Sequence, residues 1–93
     1  MSRVALVTGG TRGIGAAISM AMKTAGYQVA ATYAGNDAVA AAFAAEHGIK
    51  TFKWSVADYD ACVTGIAEVE TALGPVDVLV NNAGITRDAP FHR

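Results

Sequence analysis

Cysteine, proline and charge are all scarce in this 93-residue chain, which has one Cys, two Pro and only 16% charged side chains. Cys62 alone closes no internal disulfide and builds no cysteine-based zinc site, so a reducing, cytoplasmic setting is the expectation. Neither sign of charge dominates, with Lys+Arg 7 against Asp+Glu 8 and a net charge of −1. That balance offers no basic field to nucleic acid and no polybasic anchor to a membrane. No apolar run approaches the ~18 residues of a transmembrane helix. The run Val4–Val7 after Met1-Ser2-Arg3 is too short for a signal-peptide core. Repeats, low-complexity segments and Pro-rich linkers are also missing. Disorder is excluded by what remains, because 53% of the residues are hydrophobic. Twenty of these are Ala, which favours closely packed helices over a bulky aromatic core.

The apolar residues fall in two alternating patterns. Val4-Ala5-Leu6-Val7 is a continuous run that stops at glycines, as expected of a strand buried on both faces. Ile14, Ile18, Met22 and Ala25 then recur at helical spacing, and Gly26 stands where a helix ends. Val29–Tyr33 reads as a second strand. Asn36 or Asp37 caps a second helix that carries Val39 and Phe43 and ends at Gly48. Ile49–Trp54 is a third strand, with Lys50 and Lys53 suited to a sheet edge. Asp58 caps a third helix with Cys62, Ile66, Val69 and Leu73 on one stripe. Gly74-Pro75 ends it before a fourth strand, Val76–Val80. The order β-α-β-α-β-α-β predicts an α/β fold, a parallel sheet with three right-handed crossover helices.

The first strand meets the first helix through Thr8-Gly9-Gly10-Thr11-Arg12-Gly13-Ile14-Gly15. Glycines in such a loop allow positive φ, let a phosphate approach the backbone and let the helix pack on the sheet. The helix N-terminus then offers free N–H groups to an anion. Gly10 and Gly15 have P-loop spacing, but Ala16-Ala17 stand where a P-loop needs Lys and Ser/Thr. The spacing G-x-G-x-x-G also fails, leaving T-G-x-x-x-G-x-G. An NAD site places a carboxylate at the end of the second strand. Here that stretch is Thr32-Tyr33-Ala34-Gly35, with no acid before Asp37. Arg12 within the loop suits a 2′-phosphate. Both observations point to NADP(H).

With that loop and Asn81-Asn82-Ala83-Gly84 both at strand ends, the chain resembles the short-chain dehydrogenase/reductase family. The segment 82–88, Asn-Ala-Gly-Ile-Thr-Arg-Asp, is similar to that of 3-oxoacyl-thioester reductases. The whole chain is most similar to the acetoacetyl-CoA reductases of polyhydroxybutyrate synthesis, of which it would be the N-terminal third to half. The resemblance implies a Rossmann-type doubly wound sheet in the order 3-2-1-4, the first two helices on one face and the third on the other. It implies that Gly9, Thr11, Arg12, Gly13, Ile14 and Gly15 contact cofactor phosphates. Asn82, Ala83, Gly84, Ile85 and Thr86 would run past the ribose and nicotinamide, and Asp88 would lie near an acyl-CoA entrance. Ser55, followed by Val56, takes the place of the family's adenine-binding Asp. A cytoplasmic homotetramer is implied for the complete enzyme.

What the resemblance also implies, and the sequence lacks, is the Ser, Tyr and Lys that polarise and protonate the substrate carbonyl. Four positions after Tyr27, Tyr33 and Tyr59 stand Ala31, Asp37 and Val63, so no Y-x-x-x-K pair exists. No catalytic residue is therefore assigned, and residues 1–93 are expected to be a single, incomplete dinucleotide-binding domain, inactive alone. The alternative is a non-catalytic dinucleotide-binding or structural fragment that works only with another chain. An uncovered apolar fourth strand predicts that such a fragment self-associates or needs a complementary chain. His47 and His92 have no second ligand at metal spacing. Cys62 reads as core, Asp58 as a cap, Asp60 as a first-turn dipole partner and Asp77 as structural. Phe52 and Trp54 either wall an adenine pocket or pack the core.

Overall fold

The computed structural model describes residues 3–82. Val4–Val7 form β1, Gly13–Thr24 α1, Gln28–Tyr33 β2, Asp37–His47 α2, Lys50–Lys53 β3, Tyr59–Leu73 α3 and Val76–Val80 β4. The strands make one sheet in the expected order β3-β2-β1-β4, every pairing parallel. All four residues of β1 and Val29–Thr32 of β2 are buried, because helices cover both faces of a parallel sheet. At the β3 edge Lys50 and Lys53 are exposed.

Each face has its own core. On one, Val7, Val29, Ala31, Phe43 and Ile49 pack with Ile18 and Met22, which places α1 and α2 together. On the other, Val4, Leu6, Ala30 and Trp54 meet Val69, Cys62 and Leu73 of α3. Trp54 thus belongs to the core, and Phe52 packs against the same cluster. Gly65 is what lets α3 come so close, since a Cβ there would overlap the Trp54 ring.

The α1 stripe differs from the one expected. Ile14 is 75% exposed and Ala25 is exposed, while the fully buried positions are Gly15 and Ser19. The helix lies so near the glycine loop that only small side chains fit between them. Its end is as expected: Gly26 has φ 102, and the N–H groups of Gly26 and Tyr27 bond the carbonyls of Lys23 and Met22 at 3.0 and 3.1 Å. Asn36, left-handed at φ 54, caps α2 by accepting from the Val39 N–H at 3.2 Å. Asp58 caps α3, accepting from the Ala61 N–H at 3.1 Å.

β4 carries a bulge. Val4 pairs with Val76 but Ala5 pairs with Val78, so Asp77 is the extra residue. Its carboxylate accepts from the Val4 N–H at 2.9 Å, which explains an acid in an apolar strand. Beyond the bulge Val80 packs on the α1–α2 face. Leu79 turns to the α3 face, where it stays 58% exposed.

Candidate functional site

The glycine loop leaves the carboxyl end of β1, and three elements hold it. From β2, Thr32 accepts the Gly9 N–H on Oγ1 at 3.2 Å and the Gly10 N–H on its carbonyl at 3.0 Å. From α1, the buried Ser19 hydroxyl donates to the Gly10 carbonyl at 2.9 Å. From the end of β4, the Asn82 side-chain amide donates to the Gly9 carbonyl at 3.2 Å. Thr8 adds a backbone bond to Val80 at 3.0 Å and donates its hydroxyl to Asn81 Oδ1 at 3.2 Å.

The loop's glycines are forced by this packing. Gly9 and Gly13 sit at φ 62 and 59, a region that side chains disfavour. A Cβ on Gly15 would collide with the Gly9 carbonyl and stand 2.7 Å from the Asn82 amide nitrogen. One on Gly10 would stand 2.7 Å from Ser19 Oγ. The turn is therefore a cradle of bare backbone. α1 rises directly from it with Arg12 as N-cap, no side-chain cap and no acid in its first turn. Its first N–H groups and positive dipole end are left to an anion.

Beside the cradle lies a concavity of about 200 Å³. Gly9, Thr11 and Arg12 form one wall and Tyr33, Gly35 and Asn36 the other. Arg12 is the only charged residue in its lining, and no carboxylate is among them. The absence of an acid at the end of β2 thus becomes a local positive bias beside Arg12. The residues present fit a phosphate next to a ribose.

Of the other expected site residues, Gly13 and Ile14 lie exposed at the start of α1. Ser55 follows β3, and its Oγ accepts from the Ala57 N–H at 3.2 Å, leaving its own hydrogen to donate. Val56 is exposed beside it and lines a second concavity of about 180 Å³ with Leu6, Thr8, Trp54 and Leu79. The structure brings Gly9, Thr11, Arg12, Gly15 and Asn82 together. Ala83, Gly84, Ile85, Thr86 and Asp88 lie outside the described residues. Among the described residues no group of three or more His, Cys, Asp or Glu could hold a metal ion, and no helix is long and apolar enough to cross a membrane.

Sequence reasoning passed over Ser19, and it read Thr32 and Tyr33 only as the strand end that lacks an acid and Asn36 only as a cap. A hydroxyl inside an apolar strand and another on the apolar side of a helix were the available signals, since a buried hydroxyl needs a partner.

A family model described as short chain dehydrogenase matches residues 3–93. The chain is 73% identical over 93 residues to an acetoacetyl-CoA reductase of Paracoccus denitrificans, covering 100% of this chain and 38% of that one. It is 71% identical over 93 residues to the acetoacetyl-CoA reductase of Shinella zoogloeoides, covering 100% and 39%. The chain therefore spans under two-fifths of the length of these curated relatives. Among solved structures it is similar to a blue fluorescent protein from a metagenomic library in complex with NADPH. That match has a TM-score of 0.81 and 41% identity, and covers 89% of this chain and 36% of the other.

Proposed function

Because the chain belongs to the short chain dehydrogenase family, we propose that it is the cofactor-binding part of an NADPH-dependent acetoacetyl-CoA (3-oxoacyl-CoA) reductase of polyhydroxybutyrate biosynthesis, working in the cytoplasm. The observation that carries this reading is the bare-backbone cradle at Gly9–Gly15 opening onto an acid-free wall beside Arg12. The similarity to acetoacetyl-CoA reductases supplies the substrate class.

The chemistry that NADPH would supply here is a hydride for the 3-oxo carbon, which would give the 3-hydroxyacyl-CoA once the carbonyl oxygen takes a proton. The residues of this chain bind and orient. The Gly9–Gly15 turn and the first N–H groups of α1 receive the diphosphate. Arg12 and Thr11 meet the 2′-phosphate side, with Arg12 offering a two-pronged donor. Ser55 and Val56 take the adenine side, Ser55 through the hydroxyl hydrogen it retains. Asn82 fixes the turn through the Gly9 carbonyl and leads the chain toward Ala83–Thr86, which we assign to the ribose and nicotinamide. Asp88 is assigned to the acyl-CoA entrance. Proton transfer to the substrate is left to Tyr and Lys residues of a complete, tetrameric enzyme.

The test is NADPH oxidation followed at 340 nm with acetoacetyl-CoA, on protein of confirmed intact mass. Turnover only when a longer or second chain is present is the expected result. Turnover by residues 1–93 alone would show that the Tyr/Lys pair is not required. Absence of turnover in every form favours a non-catalytic dinucleotide-binding fragment. The exposed Leu79, which shares a concavity with Ile66, supports the further expectation that such a fragment self-associates or takes a complementary chain.

A further inference from the structure

Asp37, the first residue of α2, adjoins Asn36 on the lip of the concavity beside Arg12. It is the first acid after β2 in the sequence. A carboxylate at that place weakens binding of a second phosphate by repulsion, and a 2′-phosphate near neutral pH carries close to two negative charges. Lys53, the last residue of β3, reaches across the sheet edge to this one acid. Its Nζ stands 3.1 Å from Asp37 Oδ1 and 3.4 Å from Oδ2. Both side chains are more than half exposed, so the pair contributes little to stability. Its electrical effect is a different matter, because a paired carboxylate presents a dipole where a bare one presents a full charge.

We propose that Lys53 sets cofactor preference at this site by neutralising Asp37 toward the 2′-phosphate of NADP(H). The inference rests on the NADP(H) reading and names a residue outside the pocket lining. Lys53 is a positioning residue in this scheme, acting on the phosphate through Asp37. A carboxylate and a phosphate within about one Debye length of each other, roughly 8 Å at physiological salt, interact weakly but measurably. The expected effect is a loss of about threefold in NADPH affinity at 0.1 M salt when Lys53 is removed, growing as salt is lowered.

The experiment is calorimetric titration of the protein, in the longest form its gene encodes, with NADPH and with NADH at two salt concentrations. Lys53→Met is expected to weaken NADPH binding, steepen its salt dependence and leave NADH unchanged. Adding Asp37→Asn to Lys53→Met is expected to return NADPH affinity to the wild-type value, which a merely structural role for the ion pair would not do. An unchanged NADPH/NADH ratio in Lys53→Met overturns the inference while leaving the NADP(H) reading intact. So does a double variant as weak as Lys53→Met, since Lys53 would then touch the phosphate itself. A wild-type protein with no preference for NADPH overturns both.

Discussion

One methyl group tests the glycine loop. At Gly15 a Cβ would meet the Gly9 carbonyl and the Asn82 amide, both already bonded to each other, so neither can move freely. Gly15→Ala is expected to cost about 1–3 kcal/mol in chemical denaturation. NADPH binding should weaken by about tenfold or more, a loss equivalent to ~1.4 kcal/mol of contact. Ser19→Ala removes the donor to the buried Gly10 carbonyl, and an orphaned buried acceptor costs about 1–3 kcal/mol. A loss well under that range would mean water replaces the hydroxyl. The loop glycines and Arg12 were legible in the sequence because their spacing is a backbone requirement. Ser19 and Thr32 were not, since hydroxyls in a helix and a strand look alike whether they face solvent or a loop carbonyl.

Elements announce themselves through their ends. Four of the six helix boundaries follow from a residue type: Asn36 and Asp58 as caps, and Gly26 and Gly48 at positive φ just past the ends of α1 and α2. Asp58→Ala is expected to cost about 1 kcal/mol, read from the midpoint of urea unfolding. Gly65→Val should be the more damaging change in α3, because its branched side chain has only the Trp54 ring to enter. A fall in stability of about 2 kcal/mol or more is expected, together with a shift in the emission of the chain's one tryptophan. Faces are harder to read than ends. Half of the α1 stripe holds, since Ile18 and Met22 pack on the core, but Ile14 and Ala25 are exposed because apolar residue type does not show how closely a helix approaches a loop. The β4 bulge was hidden because Val76-Asp77-Val78 reads as plain alternation until Val4 is seen to skip a partner.

At the scale of the molecule, a parallel sheet with right-handed crossover helices was legible from alternation alone, while the strand order and the sorting of helices to two faces came from the family resemblance. The far side of β4 was not legible, because the residues of a strand do not name its second neighbour. Among the described residues β4 pairs only with β1. Leu79 stands 58% exposed and lines one concavity with Ile66 of α3. An apolar strip next to an unpaired edge is a pairing surface. Residues 1–93 expressed alone are expected to sediment as a species larger than a monomer, and Leu79→Lys to shift them toward the monomer with little change in melting temperature. A monodisperse monomer in the unsubstituted chain would count against this reading of the edge.

The bonds that tie β1 and the glycine loop to the last strand also carry a consequence for the order of assembly. Asp77 to the Val4 N–H, Thr8 to Asn81 and Asn82 to the Gly9 carbonyl each join residues 73 positions apart. During synthesis the loop emerges early, yet its partners Asn81 and Asn82 follow β4 and are made last among these elements. Loop closure over such a distance is slow compared with forming a local helix. The Thr32 and Ser19 bonds of the loop can form as soon as β2 is made, whereas those to Asn81 and Asn82 wait for β4. Dinucleotide binding in a refolding experiment is therefore expected to lag helix formation and follow the docking of β4.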